Sequence, residues 1–429
     1  MRLSKPGALI AGASILSLIA GCSGAEADGT TEITWLTTDN QTSVERATAL
    51  VEAFESEHPD ITIETETRPE GTQGDNLVKT RLSTGEMADI FNYNSGALLQ
   101  AINPDETLVN LSDQPWIGSL TEGFISAVST ENGMYGYPLG TTYAGGLVYN
   151  TAIYEELGLE IPKSWDQFMA NNQRIADAGY DPVIQTYGTT STSQLLLLGN
   201  FANVLAADPE WAEQFTAHNR SYTEPPALAG FKHTETLAEA GYFNKNFPTA
   251  TYEDAARMLA EGSGVHYPAL STIVNAVEMN YPDAVDAMGF MAIPAEDPAL
   301  ASATIWQPEG LYIPKTTEGE EREAAIEFLN FMSTQTACDV MKEIVTPTGP
   351  YPGDCELSED VPDMLKDIQE YMDAGKSAPA LEFISPVKGP NLENILVAVG
   401  SGIKGAEEAA AEYDQDVEAQ ARQLGLEGW

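Results

Sequence analysis

Segments that read as strands alternate with segments that read as helices at the start of this chain, and that alternation narrows the fold more than any other feature. Ile33-Thr34-Trp35-Leu36-Thr37 is rich in β-branched and aromatic residues, as a strand requires. After the polar loop Thr38-Asp39-Asn40-Gln41, Thr42 and Glu45 predict a capping box, and Val44, Ala47, Leu50, Val51 and Phe54 then share one helical face. His58-Pro59 ends that helix, and Ile61 and Ile63 alternate with polar residues as a second strand. Leu77 to Ser83 is helical up to Gly85, and Asp89 to Tyr93 is a third strand. Strands joined by helices imply an α/β fold with a mainly parallel sheet flanked by helices. A chain of 429 residues is too long for one compact core, so two lobes are expected.

In sheets of this kind ligands bind beyond the carboxyl ends of the strands, where loops converge. That rule singles out Asp39 and Asn40 after the first strand, and Asn94 and Ser95 after the third. Each of the four can equally cap the helix that follows, and both roles stay open.

Arg2 and Lys5 precede an apolar run from Ala8 to Ala20, and Leu18-Ile19-Ala20-Gly21 stands directly before Cys22. This is the pattern of an export signal over residues 1–21, too short to span a bilayer permanently. Small residues ahead of a cysteine resemble a bacterial lipobox, which makes Cys22 the expected lipid attachment site. A cysteine beside an ordinary cleavage site is the alternative. Residues 22–30, small and polar, read as a tether. The expected location is therefore extracytoplasmic, at the cell membrane.

The chain carries 20 basic against 65 acidic residues, a net charge of −45, so nucleic acid and anionic lipid are disfavoured as partners. The acids lie along helical faces such as Glu318 to Glu327 and Glu407 to Glu418, which suits a solvated surface better than a cation site. Cys338 and Cys355 are the two cysteines left after Cys22, and in an exported chain a disulfide between them is expected. Such a bridge contributes roughly 3 kcal/mol in the chain-entropy model.

The block Asn132-Gly133-Met134-Tyr135-Gly136-Tyr137-Pro138-Leu139, then Leu147-Val148-Tyr149-Asn150, Leu157-Gly158-Leu159 and Pro162-Lys163-Ser164-Trp165-Asp166, resembles the crossover region of the family 1 extracellular solute-binding proteins of ABC importers. Leu82 to Phe91, Gly289 to Pro294, Ala324 to Met332, Gly349-Pro350-Tyr351-Pro352 and the tail from Asn394 to Ala409 continue the resemblance in order. It implies a type II fold with two lobes, three interlobe crossings and a cleft that closes as a hinge. Lobe one is expected at 31–139 and 296–345, and lobe two at 144–290 and 353–429.

The same resemblance implies capture of a mono- or oligosaccharide by a monomer and delivery to membrane permease subunits, without a cofactor or metal. Planar hydrogen-bonding groups suit sugar hydroxyls, and aromatic faces suit the C–H side of the ring. Tyr143 falls where the family places a contact beside the first crossing. Trp306 and Glu309, in Ile305-Trp306-Gln307-Pro308-Glu309-Gly310, fall in a return segment facing the cleft. Tyr187 opens a hydroxyl-rich loop, Gly188 to Ser193. A tryptophan common in the family is missing from Gly262 to Leu270, where Tyr267, with His266 beside it, is the expected replacement.

Enzyme signatures are missing: no Gly-x-Ser-x-Gly elbow, no His-Glu-x-x-His, no dinucleotide glycine fingerprint. Three other readings stay open: a receptor for a polyol, polyol phosphate or polyamine, a secreted glycosidase, and a surface adhesion protein. Few basic residues lie in the expected cleft loops, which argues against a phosphorylated ligand.

Overall fold

The computed structural model describes residues 30–426 and 428–429, so the predicted signal, Cys22 and nearly all of the tether lie outside the described residues. Two principal sheets organise the chain. The first joins β1 (Thr31–Thr38), β2 (Ile61–Arg68), β3 (Ile90–Tyr93), β6 (Gly136–Pro138) and β12 (Gly310–Tyr312) in the order β2-β1-β3-β12-β6. A short hairpin, β4 (Ser129–Thr130) with β5 (Gly133–Met134), lies beside it in sequence. The second joins β7 (Tyr143–Asn150), β8 (Asp181–Val183), β9 (Gly264–Leu270), β11 (Ala303–Trp306) and β13 (Ser377–Pro379) in the order β13-β11-β7-β9-β8, with β10 (Met288–Met291) also on β7.

Parallel pairing holds where the sequence alternates strand and helix, at β1 with β2 and with β3. The second sheet departs from it: β7 runs antiparallel to β9, β10 and β11. These partners reach β7 from distant parts of the chain, so no local crossover forces one direction.

Helix α1 (Gln41–Glu57) begins one turn-setting residue earlier than the predicted box. Asn40 caps it by accepting from the Ser43 N–H at 2.9 Å, and Ser43, Ala47, Leu50, Val51 and Phe54 form the buried face while Val44 is exposed. Phe54 and Trp35 both pack on Phe328 in the core of lobe one. Lobe two has its own core, including Tyr267, Phe290 and Ile305.

The lobes meet along a ribbon. β6 leads into β7 and β11 leads into β12, so the two connections run side by side: Pro138 pairs with Gly310 in lobe one and Tyr143 with Trp306 in lobe two. Between these pairs the Leu139 N–H donates to the Glu309 carbonyl at 2.9 Å. Gly140 has φ 125°, a conformation that favours glycine. The ribbon is also laced to the third connection, where Thr142 donates through its N–H and its hydroxyl to the Pro350 carbonyl, both at 2.8 Å.

Two expected lobe boundaries move. Residues 296–306 sit with lobe two, because β11 pairs with β7 and buries Ala303 and Ile305 in the core there. Residues 353–355 stay with lobe one, because Cys355 is bridged to Cys338 on the helix Gln335–Ile344, with Cα atoms 5.5 Å apart. The Thr121 N–H also bonds the Pro352 carbonyl, and Leu357 is the first residue packed on lobe two's core.

Candidate functional site

Three contiguous cavities of about 560, 420 and 550 Å³ lie along the ribbon, and Tyr143 lines all of them. They form one groove between the lobes.

Lobe one builds its wall from strand ends. Asn40, held as the cap of α1, also donates through Nδ2 to Glu70 and to Thr38 Oγ1. At the end of β2, Arg68 is only 2% exposed, donates through Nη2 to the Asn92 carbonyl at 3.2 Å, and stands 3.9 Å from Glu309. Its guanidinium also lies 5.8 Å from the centre of the Tyr93 ring. Asn92 donates to the other Glu309 oxygen at 2.7 Å, so Glu309 is fixed from β2 and β3 together while still lining the groove. Asn94 and Ser95 follow β3 into the groove, and the Ser95 hydroxyl donates to the Pro308 carbonyl at 2.8 Å. Asp39 is different. It is exposed, lines none of these cavities, and its N–H bonds the Arg68 carbonyl, so its position serves the loop rather than the groove.

Lobe two supplies rings. Tyr143 and Trp306 are cross-strand neighbours, their rings nearly parallel at 14° with centroids 6.2 Å apart. Tyr143 is half-buried, whereas Trp306 is 4% exposed and presents little more than an edge. Burial, with Glu382 and Glu309 nearby, pushes the Tyr143 hydroxyl well above its usual range, so it stays protonated at neutral pH. The Trp306 Nε1–H donates to Glu382 at 3.1 Å, and Lys388 pairs with the other carboxylate oxygen at 3.1 Å. Thr189, Ser191 and Thr192 from the hydroxyl-rich loop line the third cavity.

Two predicted tyrosines do not reach the groove. Tyr187 is buried against Phe243 and Phe247 and lines none of these cavities. Tyr267 is fully buried in lobe two's core, because β9 lies inside the sheet; its hydroxyl bonds Thr186 at 2.8 Å, and Thr186 bonds Thr192 at 2.7 Å. It touches the groove only through that relay. His266 is equally internal, between the Pro182 carbonyl at 2.9 Å and the Tyr154 hydroxyl at 2.6 Å, and burial pushes its pKa down to about 3.

Sequence reasoning missed Arg46, Arg68, Glu382 and Lys388, all of which line the groove. Arg68 was findable, since it ends a strand exactly as Asn94 follows one, and the carboxyl-end rule covers both. Arg46 lies inside a helix and Lys388 in a distant loop, and no local pattern announces either. The groove therefore holds more positive charge than the cleft loops suggested.

A sequence model of the bacterial extracellular solute-binding proteins matches residues 38–337. The chain belongs to that family. The family is an extracellular one, which places the protein outside the cytoplasm. The chain is 25% identical over 240 residues to a multiple sugar-binding protein of Streptococcus mutans, covering 54% of this chain and 56% of that protein. It is 26% identical over 208 residues to the melibiose/raffinose/stachyose-binding protein MelE of Bacillus subtilis, covering 47% of each. It thus spans about half the length of these sequence relatives. In three dimensions it is similar to a Bacillus subtilis binding protein solved in an open conformation, with a TM-score of 0.77 and 17% identity over 92% of this chain and 99% of that one. That likeness supports the two-lobed type II fold. Among the described residues, no helix is long and apolar enough to cross a membrane.

Proposed function

We propose that this protein is the sugar-capturing component of an ABC importer, a monomer that binds a mono- or oligosaccharide between its lobes and passes it to permease subunits. The observation that carries this reading is the groove itself: a half-buried tyrosine common to all three cavities, on the hinge ribbon, facing amides and carboxylates fixed by other protein groups. A pyranose has an apolar C–H face and a rim of hydroxyls, and the two walls offer one kind of partner for each. Tyr143 would cover the ring face; Asn40, Asn94, Ser95 and Glu309 would meet hydroxyls from lobe one. Trp306 would set the Tyr143 ring rather than stack on sugar itself. Both sequence relatives are named for sugar binding, which supports the same class.

Export through residues 1–21 and lipidation of Cys22 belong to this proposal and rest on the sequence pattern. Binding rather than catalysis is the expected outcome on contact with sugar.

The test is a thermal-shift screen of the mature chain over neutral and acidic mono- and oligosaccharides, with product analysis of each mixture. A true ligand at a hundredfold excess over its dissociation constant adds roughly 2.7 kcal/mol of stability and raises the melting temperature without being cleaved. No shift with any sugar, or release of hydrolysis products, would overturn the reading.

A further inference from the structure

Among the described residues three cations line the groove, and two are neutralised in place. Arg68 stands against Glu309, and Lys388 pairs with Glu382. Arg46 is the third. It projects from the second turn of α1 into the 560 Å³ cavity that Tyr143 also lines, and among the described residues no carboxylate comes within 4.0 Å of it. Its Nε is buried without any hydrogen-bond partner. An ideal Cβ placed on Gly140 would lie 4.0 Å from Arg46 Nη1, so the guanidinium reaches the first crossing at a glycine, where no side chain covers it.

We propose that Arg46 is a specificity-determining residue of the groove, its guanidinium taking two adjacent ligand oxygens beside the hinge. The inference rests on the sugar-receptor reading and deepens it. The Nη groups reach the groove and make no hydrogen bond to protein among the described residues, so a ligand oxygen there supplies an acceptor that the fold does not. The planar fork of arginine matches a pair of neighbouring oxygens in a way that a lysine point charge cannot. Glu309, whose charge acts on Arg46, is engaged elsewhere: Asn92 holds it at 2.7 Å and it faces Arg68. Burial lowers the Arg46 pKa from its ordinary value, with Glu309 acting the other way, as expected of a desolvated cation lacking a close counter-ion.

Two ligand chemistries present such a pair: the carboxylate of a uronic acid and the vicinal diol of a neutral sugar. Their difference in charge separates them.

The experiment is calorimetric titration of the mature chain, Arg46→Gln and Arg46→Lys with raffinose, cellobiose, chitobiose and digalacturonate, at low and high salt, with unfolding midpoints measured alongside. For the sugar that the unaltered chain binds best, both variants should lose at least tenfold in affinity while keeping their unfolding midpoints. If that sugar is digalacturonate and salt weakens it, the oxygens are a carboxylate; if it is neutral and insensitive to salt, they are a diol. Either result supports the inference. Binding by both variants within twofold of the unaltered chain would overturn it and leave the receptor reading standing. Binding of no sugar by the unaltered chain would overturn both.

Discussion

The two walls of the groove are made of different materials and are held by different means. Lobe one presents amides, carboxylates and guanidinium groups from the ends of β1, β2 and β3 and from α1, most of them held by polar partners: Asn40 with Glu70, and Asn92 and Arg68 with Glu309, Arg46 being the exception. Lobe two presents Tyr143 on a sheet whose packing includes the nearly buried Trp306, with one carboxylate, Glu382, bridging the indole and Lys388. A polar wall needs directional partners behind it, because an unfixed amide or carboxylate loses on binding the rotamer freedom that preorganisation would have removed. An aromatic wall needs only packing, since a ring face has no direction to get wrong within its plane. The lesson is that the polar wall can choose a ligand while the ring wall chiefly holds one, and that closing the hinge is what applies both at once.

The sharpest break in this comparison is inside lobe two. Trp306→Ala removes an indole that is 4% exposed, and a core aromatic truncated to Ala costs roughly 3 to 5 kcal/mol, readable as a lower urea midpoint. Tyr143→Ala should lose far less stability yet weaken sugar binding at least tenfold, about 1.4 kcal/mol. An unchanged midpoint for Trp306→Ala would return the indole to the groove as a contact in its own right.

Acid should also act on lobe two. His266 is neutral in the fold, with its pKa pushed down to about 3 by burial, while the unfolded chain protonates near 6.5. The unfolded state therefore binds the extra proton first, so stability is complete above about pH 6.5 and falls as pH drops toward 3, by about 1.4 kcal/mol per unit. His233, buried and also lowered, acts in the same direction. Urea midpoints of His266→Gln between pH 6 and 4 should decline less steeply than those of the unaltered chain; parallel declines would assign the acid sensitivity elsewhere.

The smallest effect is expected at Tyr267. Tyr267→Phe breaks the bond to Thr186 and should cost about 1 kcal/mol of stability with sugar affinity unchanged. A tenfold loss of affinity would instead show that the relay through Thr192 matters to the ligand.

The strands and helices of residues 31–93 were legible because their signals are local: β-branched runs, a 3.6-residue apolar spacing, and caps. Even there the cap moved from Thr42 to Asn40, since several neighbouring polar residues can cap and only the geometry of the loop selects one. Asn40, Asn94 and Ser95 were placed in the groove by their position after strands, a rule that depends on the sheet alone, and Glu309 by the family resemblance of its segment. Asp39 obeys the same rule yet is exposed and lines none of the cavities, because the chain bends there and its N–H is held on the Arg68 carbonyl.

By itself the sequence determined the α/β character, from ordered local patterns, and the need for two lobes, from length; its motifs also carry the resemblance to the family. The tertiary structure alone decided where each lobe ends, since β11 is claimed by β7 across about 160 residues of chain and Cys355 is drawn back to lobe one by its bridge. It also decided which aromatic residues are surface and which are core. Tyr143 and Tyr267 are the same residue type on neighbouring strands; one lies at the strand end that opens on the hinge and the other inside the sheet, under helices that only the folded chain brings over it.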